Sequence, residues 1–104
     1  MTIKLVLCTT PDASTAQAIA RALVEKRLAA CVNLIPNVQS VYEWQGKVET
    51  ATECQLLIKT NTEHVLLAFD LVNDMHPYDV PEWLELNAEA SHAYSHWLQS
   101  TLQQ

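Results

Sequence analysis

The sequence predicts an α+β fold in which two helices cover one face of a four-stranded antiparallel sheet and a third helix follows at the C-terminus. Extended runs and amphipathic stretches alternate in the order β-α-β-β-α-β, which is the split βαβ arrangement. The two central extended runs flank the only glycine, Gly46, which supplies the positive φ of a tight hairpin turn. With 104 residues, 49% of them hydrophobic, the chain is predicted to form one domain over residues 1–104.

The first strand and helix come from two adjoining patterns. Residues 3–8 form a β-branched and leucine-rich run, and the Thr-Thr-Pro-Asp that follows is typical of a turn with a helix cap. Apolar residues then recur at three- and four-residue steps, which predicts a helix over about 14–27. Two basic residues near its end suit the negative pole of the helix dipole.

The long hairpin is the most unusual feature. Its first strand holds about 16 residues, which at about 3.3 Å each span roughly 50 Å if fully extended. A compact domain of this length has a diameter of roughly 33 Å, so the hairpin must bend or protrude. Pro36 is the predicted bend because it cannot donate to a sheet ladder. Beyond it lies an arm that reaches past its own core and implies a partner; its large apolar residues are Val38, Val41, Tyr42 and Trp44.

The remaining elements follow from caps and periodicity. A cap within residues 61–63 predicts a second helix that ends at residues 75–77. Residues 80–86 are predicted to form the fourth strand, with Pro81 tolerable only near its start or at an edge. Apolar steps from a cap near Ser91 predict a terminal helix; its apolar positions are Tyr94, Trp97, Leu98 and Leu102.

The sheet carries apolar residues on both faces. Leu5 and Leu7 alternate with Val6 and Cys8 along the first strand, and the third strand has the same character. Because the two helices can cover only one face, we expect the other face to pack on further copies of the chain. The sequence therefore predicts a homo-oligomer.

Charge and cysteine content restrict partners and location. The net charge is -6, which disfavours nucleic acid and anionic membranes as partners and suits cations. The N-terminus enters a strand without a signal-peptide apolar block, and no run is long enough to cross a bilayer, so a cytoplasmic location is expected. Three widely separated cysteines predict reduced thiols rather than a disulfide framework.

Two residues are candidates for binding a metal. Cys8 ends the first strand and His76 precedes the fourth, and these strands are neighbours in the split βαβ arrangement, so the two residues should meet. Thiolate and imidazole select copper or zinc. The alternative is structural: Cys8 is a buried strand-end residue and His76 caps the second helix. His92 and His96 stand one turn apart, but without a third ligand they are interpreted as a solvated polar face.

Five segments together resemble the CutA divalent-cation-tolerance family. They cover nearly the whole chain in compatible order: residues 7–12, LCTTPD; 28–36, LAACVNLIP; 40–47, SVYEWQGK; 58–60, IKT; and 76–82, HPYDVPE. The resemblance implies a ferredoxin-like fold and a homotrimer, similar in assembly to PII signalling proteins, in which the hairpin arms contact neighbouring subunits. Bacterial members are associated with tolerance to copper and other divalent ions, and animal relatives with a membrane-bound esterase.

The resemblance also bears on the metal ligands. The copper ligands proposed for the family correspond to Cys8 and His76. Some bacterial members carry a second histidine where this chain has Met75, whose thioether suits copper(I) better than copper(II). The implied site is therefore Cys8, His76 and Met75 with a copper ion.

A second set of residues could line a cleft between subunits, by analogy with PII-like trimers. A cleft of this kind would take a small molecule or a protein. In the alternative interpretation the aromatics hold the trimer together and Lys59 pairs with Glu82. No Walker-type loop, nucleophile elbow or closed zinc pattern is present, so the sequence predicts a binding protein and not an enzyme. The set is Lys59, Tyr42, Trp44, Tyr78 and Glu82.

Overall fold

The computed structural model describes residues 2–103. Over this range the strands form one antiparallel sheet in the order β2-β3-β1-β4, which confirms the predicted α+β, ferredoxin-like fold. No helix in this part of the chain is long and apolar enough to cross a bilayer. The elements are β1 (Ile3–Thr10), α1 (Ala13–Glu25), β2 (Cys31–Trp44), β3 (Lys47–Asn61), α2 (Val65–Met75), β4 (Leu84–Ala88) and α3 (His92–Leu102).

Helix α1 begins and ends at identifiable caps. The Asp12 side chain accepts a hydrogen bond of 2.8 Å from the Thr15 backbone N–H, which satisfies one of the free donors at the helix start. At the other end Arg27 adopts a left-handed φ of 58°, and the Leu28 N–H donates to the Leu23 carbonyl over 2.9 Å. This closing motif ends α1 two residues before the predicted position. The two basic residues therefore lie beyond the last helical turn.

The hairpin bends and turns as predicted. Gln45 and Gly46 both have positive φ, 51° and 80°, as a two-residue type I′ turn requires. Pro36 and Asn37 together oppose a single residue of β3, because the β2–β3 register shifts between Ile35 and Val38. This β-bulge lets the proline sit where no ladder donor is needed. The chain measures 44 × 24 × 21 Å, and the hairpin beyond the bulge gives it this elongated shape.

The main core lies between the sheet and the helices α1 and α2. Side chains from alternate positions of β1 and β3 meet the apolar faces of both helices. A smaller cluster forms where α3 packs near the start of β1 and contains Ile3, Ala30, Leu98 and Leu102. The main core includes the fully buried residues Val6, Cys8, Ala16, Ile19, Leu23, Leu56, Ile58, Ala68 and Val72.

The opposite face of the sheet stays largely open in the single chain. Leu5 pairs with Leu86, and Leu7 pairs with Leu84 on one side and Leu57 on the other, so their side chains form a continuous apolar surface. Leu84 and Leu86 are 54% and 46% exposed. We call this surface, made of these five residues, the leucine face. The apolar alternation on both faces is as predicted; packing of the leucine face on other copies stays a prediction.

The fourth strand differs from the prediction. It spans Leu84–Ala88 rather than residues 80–86 and pairs with β1 from Ile3↔Ala88 to Leu7↔Leu84. Pro81, within the predicted span, has no N–H to donate to a ladder. Residues 77–83 instead connect α2 to β4 past the end of β1. Trp83 in this segment stacks edge-on against Phe69 of α2, with ring centroids 5.2 Å apart. The contact anchors the connection to the helix.

Helix α2 lacks the side-chain cap that the sequence suggests. Its N-cap is His64, which makes no capping bond. Instead Asn61 accepts two hydrogen bonds from His64, 3.1 Å from the backbone N–H and 2.7 Å from Nδ1. The helix ends at Met75 with His76 as the C-cap residue, as predicted.

Candidate functional site

Cys8 and His76 converge on one backbone oxygen. His76 Nε2 lies 2.7 Å from the Thr9 carbonyl oxygen, and the Cys8 thiol approaches the same oxygen at 3.9 Å. A carbonyl oxygen only accepts hydrogen bonds, so Nε2 carries a proton in this arrangement. The structure therefore brings together the two residues that the strand order predicted would meet.

Both ring nitrogens of His76 are engaged. Nδ1 accepts a hydrogen bond of 3.1 Å from the Tyr78 backbone N–H. The ring centroids of His76 and Tyr78 lie 4.8 Å apart. With Nε2 donating to Thr9 and Nδ1 accepting, the imidazole is neutral and held in one orientation. A metal-bound histidine commonly donates its other N–H to a carbonyl. The Thr9 contact fits that role for a metal on Nδ1, whereas a metal on Nε2 has to displace it.

The thiol of Cys8 is buried and protonated. Its side chain is fully covered in the core, and burial raises its pKa to about 12, with smaller contributions from the negative charges of Glu82 and Glu53. Metal binding requires the thiolate. Because its pKa rises from 9.0 to about 12, protons compete with a metal ion for the Cys8 sulfur about a thousandfold more strongly than for the sulfur of an ordinary thiol.

Met75 lies beside this pair in sequence but is more exposed. It is the last residue of α2 and is 39% exposed, while His76 is 8% exposed. Residues 2–103 contain no group of three or more His, Cys, Asp or Glu side chains arranged to hold a metal ion. Within a single chain the candidate ligands are thus the Cys8 thiol, the His76 imidazole and the Met75 thioether.

Two residues of the second predicted set, Tyr78 and Glu82, lie beside the place where Cys8 and His76 meet at the Thr9 carbonyl, which we call the corner. The Tyr78 hydroxyl donates to Glu53 over 2.8 Å, and burial followed by this bond raises the pKa of Tyr78 to about 12. The Gln55 amide donates to the Cys8 carbonyl oxygen over 2.9 Å and to Glu82 over 3.5 Å. The corner therefore has an acidic rim held by hydrogen bonds.

The other three residues of that set lie elsewhere. Tyr42 and Trp44 are on the hairpin arm and exposed, Trp44 by 61%. Lys59 sits in the register row of Leu5, with Nζ 5.9 Å from the centre of the Tyr94 ring. The Lys59–Glu82 pair of the alternative interpretation does not form within residues 2–103, because Glu82 lies beside Gln55, four residues away from Lys59 along β3. Within one chain the set does not form a cleft.

Sequence reasoning missed several contacts at these sites. Thr9 acts through its backbone oxygen, which has no residue-type signal. Gln55 lies opposite Thr9 in the β1–β3 register, with Glu53 two residues further along β3, and the sequence alone does not give that register. The sequence places Tyr94 on the apolar face of the terminal helix, whereas in the structure it is partly exposed, with its ring centroid 5.4 Å from that of Trp97.

Known proteins match both the sequence and the fold. Residues 4–101 match the family model described as CutA1 divalent ion tolerance protein. The divalent-cation tolerance protein CutA of Pectobacterium atrosepticum is 43% identical over 99 residues, covering 94% of this chain and 90% of that protein. The crystal structure of CutA from Xylella fastidiosa has a TM-score of 0.92 at 42% identity, with 96% and 97% of the two chains covered. The periplasmic divalent cation tolerance protein CutA of Archaeoglobus fulgidus gives a TM-score of 0.92 at 35% identity, covering 96% and 98%. The chain belongs to the CutA1 divalent ion tolerance family.

Proposed function

We propose that the chain acts in divalent-cation tolerance as a cytoplasmic homotrimer that binds copper ions, and that it is a binding protein and not an enzyme. Relatives named for divalent-cation tolerance support the general role. The observation that carries the proposed site is the convergence of Cys8 and His76 on the Thr9 carbonyl. Met75, the adjacent thioether, completes the proposed ligand set.

The proposed binding step exchanges hydrogen bonds for metal bonds. Copper(I) accepts soft thiolate and thioether ligands together with imidazole. Binding would require the Cys8 thiol to give up its proton. A copper ion on Nδ1 of His76 would displace the Tyr78 N–H and leave the Nε2–H donating to the Thr9 carbonyl. One proton is released for each ion bound by the thiol. Because the pKa of Cys8 is raised to about 12, the copper(I) affinity should rise about tenfold per pH unit throughout the neutral range.

Competition against a copper(I) chelator under anaerobic conditions tests this site. Cys8→Ser and His76→Ala should each weaken binding, while the matched control Cys31→Ser, a partly exposed thiol on β2, should keep the wild-type affinity. Unchanged copper(I) affinity in both Cys8→Ser and His76→Ala would show that copper does not bind at Cys8 and His76.

Position 75 tests the oxidation state. Met75→His replaces a soft thioether by an imidazole, so it should shift the preference from copper(I) toward copper(II). Affinities for both oxidation states are measured on the wild type and the variant. If their ratio does not change, Met75 is not a ligand.

The leucine face and the hairpin arm support the trimer. An apolar sheet face with Leu84 half-exposed and an arm that extends past its own core are suited to burial against identical subunits. Sedimentation velocity at micromolar concentration should give a trimer, and a stable folded monomer would contradict it. The cytoplasmic location is tested by cell fractionation. The Archaeoglobus relative is named periplasmic, so recovery of the protein in the periplasmic fraction is the result that would contradict the proposal.

A second candidate function is a PII-like regulatory or structural hub. The observation that favours it is that both nitrogens of His76 are hydrogen-bonded and the Cys8 thiol is protonated, so the corner is already satisfied without a metal. In this function the clefts between subunits bind a small molecule or a protein, and Tyr42 and Trp44 supply contact surface. The hub predicts that Cys8→Ser leaves copper tolerance unchanged in cells, whereas the metal site predicts its loss.

A further inference from the structure

Two histidines on α3 are exposed and unengaged. His92 and His96 both lie within the helix, which begins after Ser91, and both side chains are exposed. Within residues 2–103 neither ring takes part in a hydrogen bond, ion pair or ring contact. Their nitrogens are therefore available to a ligand from solvent, unlike those of His64 and His76.

The helix places the two rings on one face. Residues four apart are neighbours on a helix surface, with about 5–6 Å between their Cβ atoms. At about 100° per residue, their shared direction lies roughly 120° from that of the buried Leu98 and Leu102. Tyr94 and Trp97 lie on a third side of the helix. The two imidazoles thus face solvent and each other, away from both the core and the aromatic pair.

We propose that His92 and His96 form a surface chelate for a divalent transition-metal ion of borderline type, represented by nickel(II). Imidazole is a preferred ligand for nickel, copper(II) and zinc. Two imidazoles held on one helix face bind the same ion with the second bond made intramolecularly, so affinity exceeds that of either ring alone. Water completes the coordination. The negative net charge of -6 favours cation approach.

This site is separate from the Cys8 corner. Helix α3 packs against Ile3, and Cys8 lies five residues further along β1, about 17 Å at about 3.3 Å per residue. The two sites also differ in chemistry, because the corner offers a soft thiol while α3 offers only nitrogen donors. The inference therefore does not rest on the proposed copper site.

Nickel titration by calorimetry on untagged protein tests the chelate. The wild type should bind one nickel ion per chain, and His92→Gln and His96→Gln should each weaken binding roughly a hundredfold by removing the intramolecular second bond. In the matched control, His96→Gln combined with Ala93→His, both imidazoles are kept but at adjacent positions that do not face each other. This control should bind as weakly as the single variants.

Three results would overturn the inference. These are wild-type nickel affinity in either single variant, wild-type affinity in the adjacent-position control, and loss of nickel binding in Cys8→Ser. The metal-free melting temperatures of the variants check folding, which exposed positions should leave unchanged. Nickel should raise the melting temperature of the wild type and not of the single variants. Since Cys8→Ser should retain nickel but lose copper(I), the failure of one site is distinguishable from the failure of the other.

Discussion

The buried thiol of Cys8 should make the protein lose stability at alkaline pH. The pKa of Cys8 is raised from 9.0 to about 12 in the folded chain, so the folded state keeps its proton where the unfolded state has released it. The contribution to stability is fully present below pH 9.0, the unfolded value, and is lost as pH rises toward about 12. Three pKa units correspond to at most about 4 kcal/mol, or about 1.4 kcal/mol for each pH unit within that window.

Cys8→Ala and Cys8→Ser remove this titration, and urea unfolding in the presence of a reductant measures it. Between about pH 9 and about pH 10.5 the wild type should lose about 2 kcal/mol more of its unfolding free energy than either variant. Protein concentration is held fixed, because association contributes to apparent stability. Cys54 and Tyr78, whose pKa values are also raised, titrate in all three proteins and cancel in the comparison. Parallel pH dependences for the wild type and both variants would refute the reasoning, whatever the absolute cost of the substitutions.

Three further predictions concern the arm, its turn and the first helix. Trp44→Ala should cost about 3 to 5 kcal/mol per subunit if the arm is buried in a trimer, and its melting temperature should become strongly dependent on concentration; a concentration-independent melt equal to that of the wild type would count against the buried arm. Gly46→Ala should cost about 1–2 kcal/mol through its positive φ alone, since an added Cβ meets no atom within 4 Å, whereas Gln45→Asn should raise the melting temperature because asparagine tolerates the left-handed region. Asp12→Ala should lower the melting temperature by removing the cap to Thr15. The Thr15 hydrogen bonds hold the pKa of Asp12 below 3.8, so this deficit should persist above pH 3.8 and shrink as pH falls through the lower folded value; a deficit that does not depend on pH would exclude the charged cap.

The fold was predictable where local chemistry determines it. Gly46 marked the turn and Pro36 the bend, because each residue type permits few backbone conformations. The bounds of β4 were not predictable, since they depend on which residues of β1 the strand pairs with, which is a long-range property. The separation of Lys59 from Glu82 within the chain has the same origin, because it follows from the strand register, which composition does not reveal.

The candidate corner was predictable only in its outline. The sequence predicts that Cys8 and His76 meet, but the contact arises because His76 is the C-cap residue of α2 and reaches the Thr9 carbonyl of β1, whereas β4 begins only at Leu84. The shared acceptor, the Thr9 carbonyl, is a backbone group and leaves no mark in the sequence. The protonated state of the thiol follows from the surrounding core and two nearby carboxylates, none of them adjacent to Cys8 along the chain.

The β-bulge at Pro36 and Asn37 decides to which side of the hairpin each later side chain of β2 points. Since these two residues together oppose Cys54 alone, Tyr42 and Trp44 point to the same side of the hairpin as the leucine face. Deleting Asn37 would remove the extra residue and leave Pro36 opposite Cys54, while every pair from Val38↔Glu53 to Trp44↔Lys47 would keep its register. Tyr42 and Trp44 would therefore stay on that side of the hairpin, and the deletion would remove only the local bend and twist. Regular pairing of the full-length strand, with no residue deleted, would instead turn Val41 and Glu43 to that side.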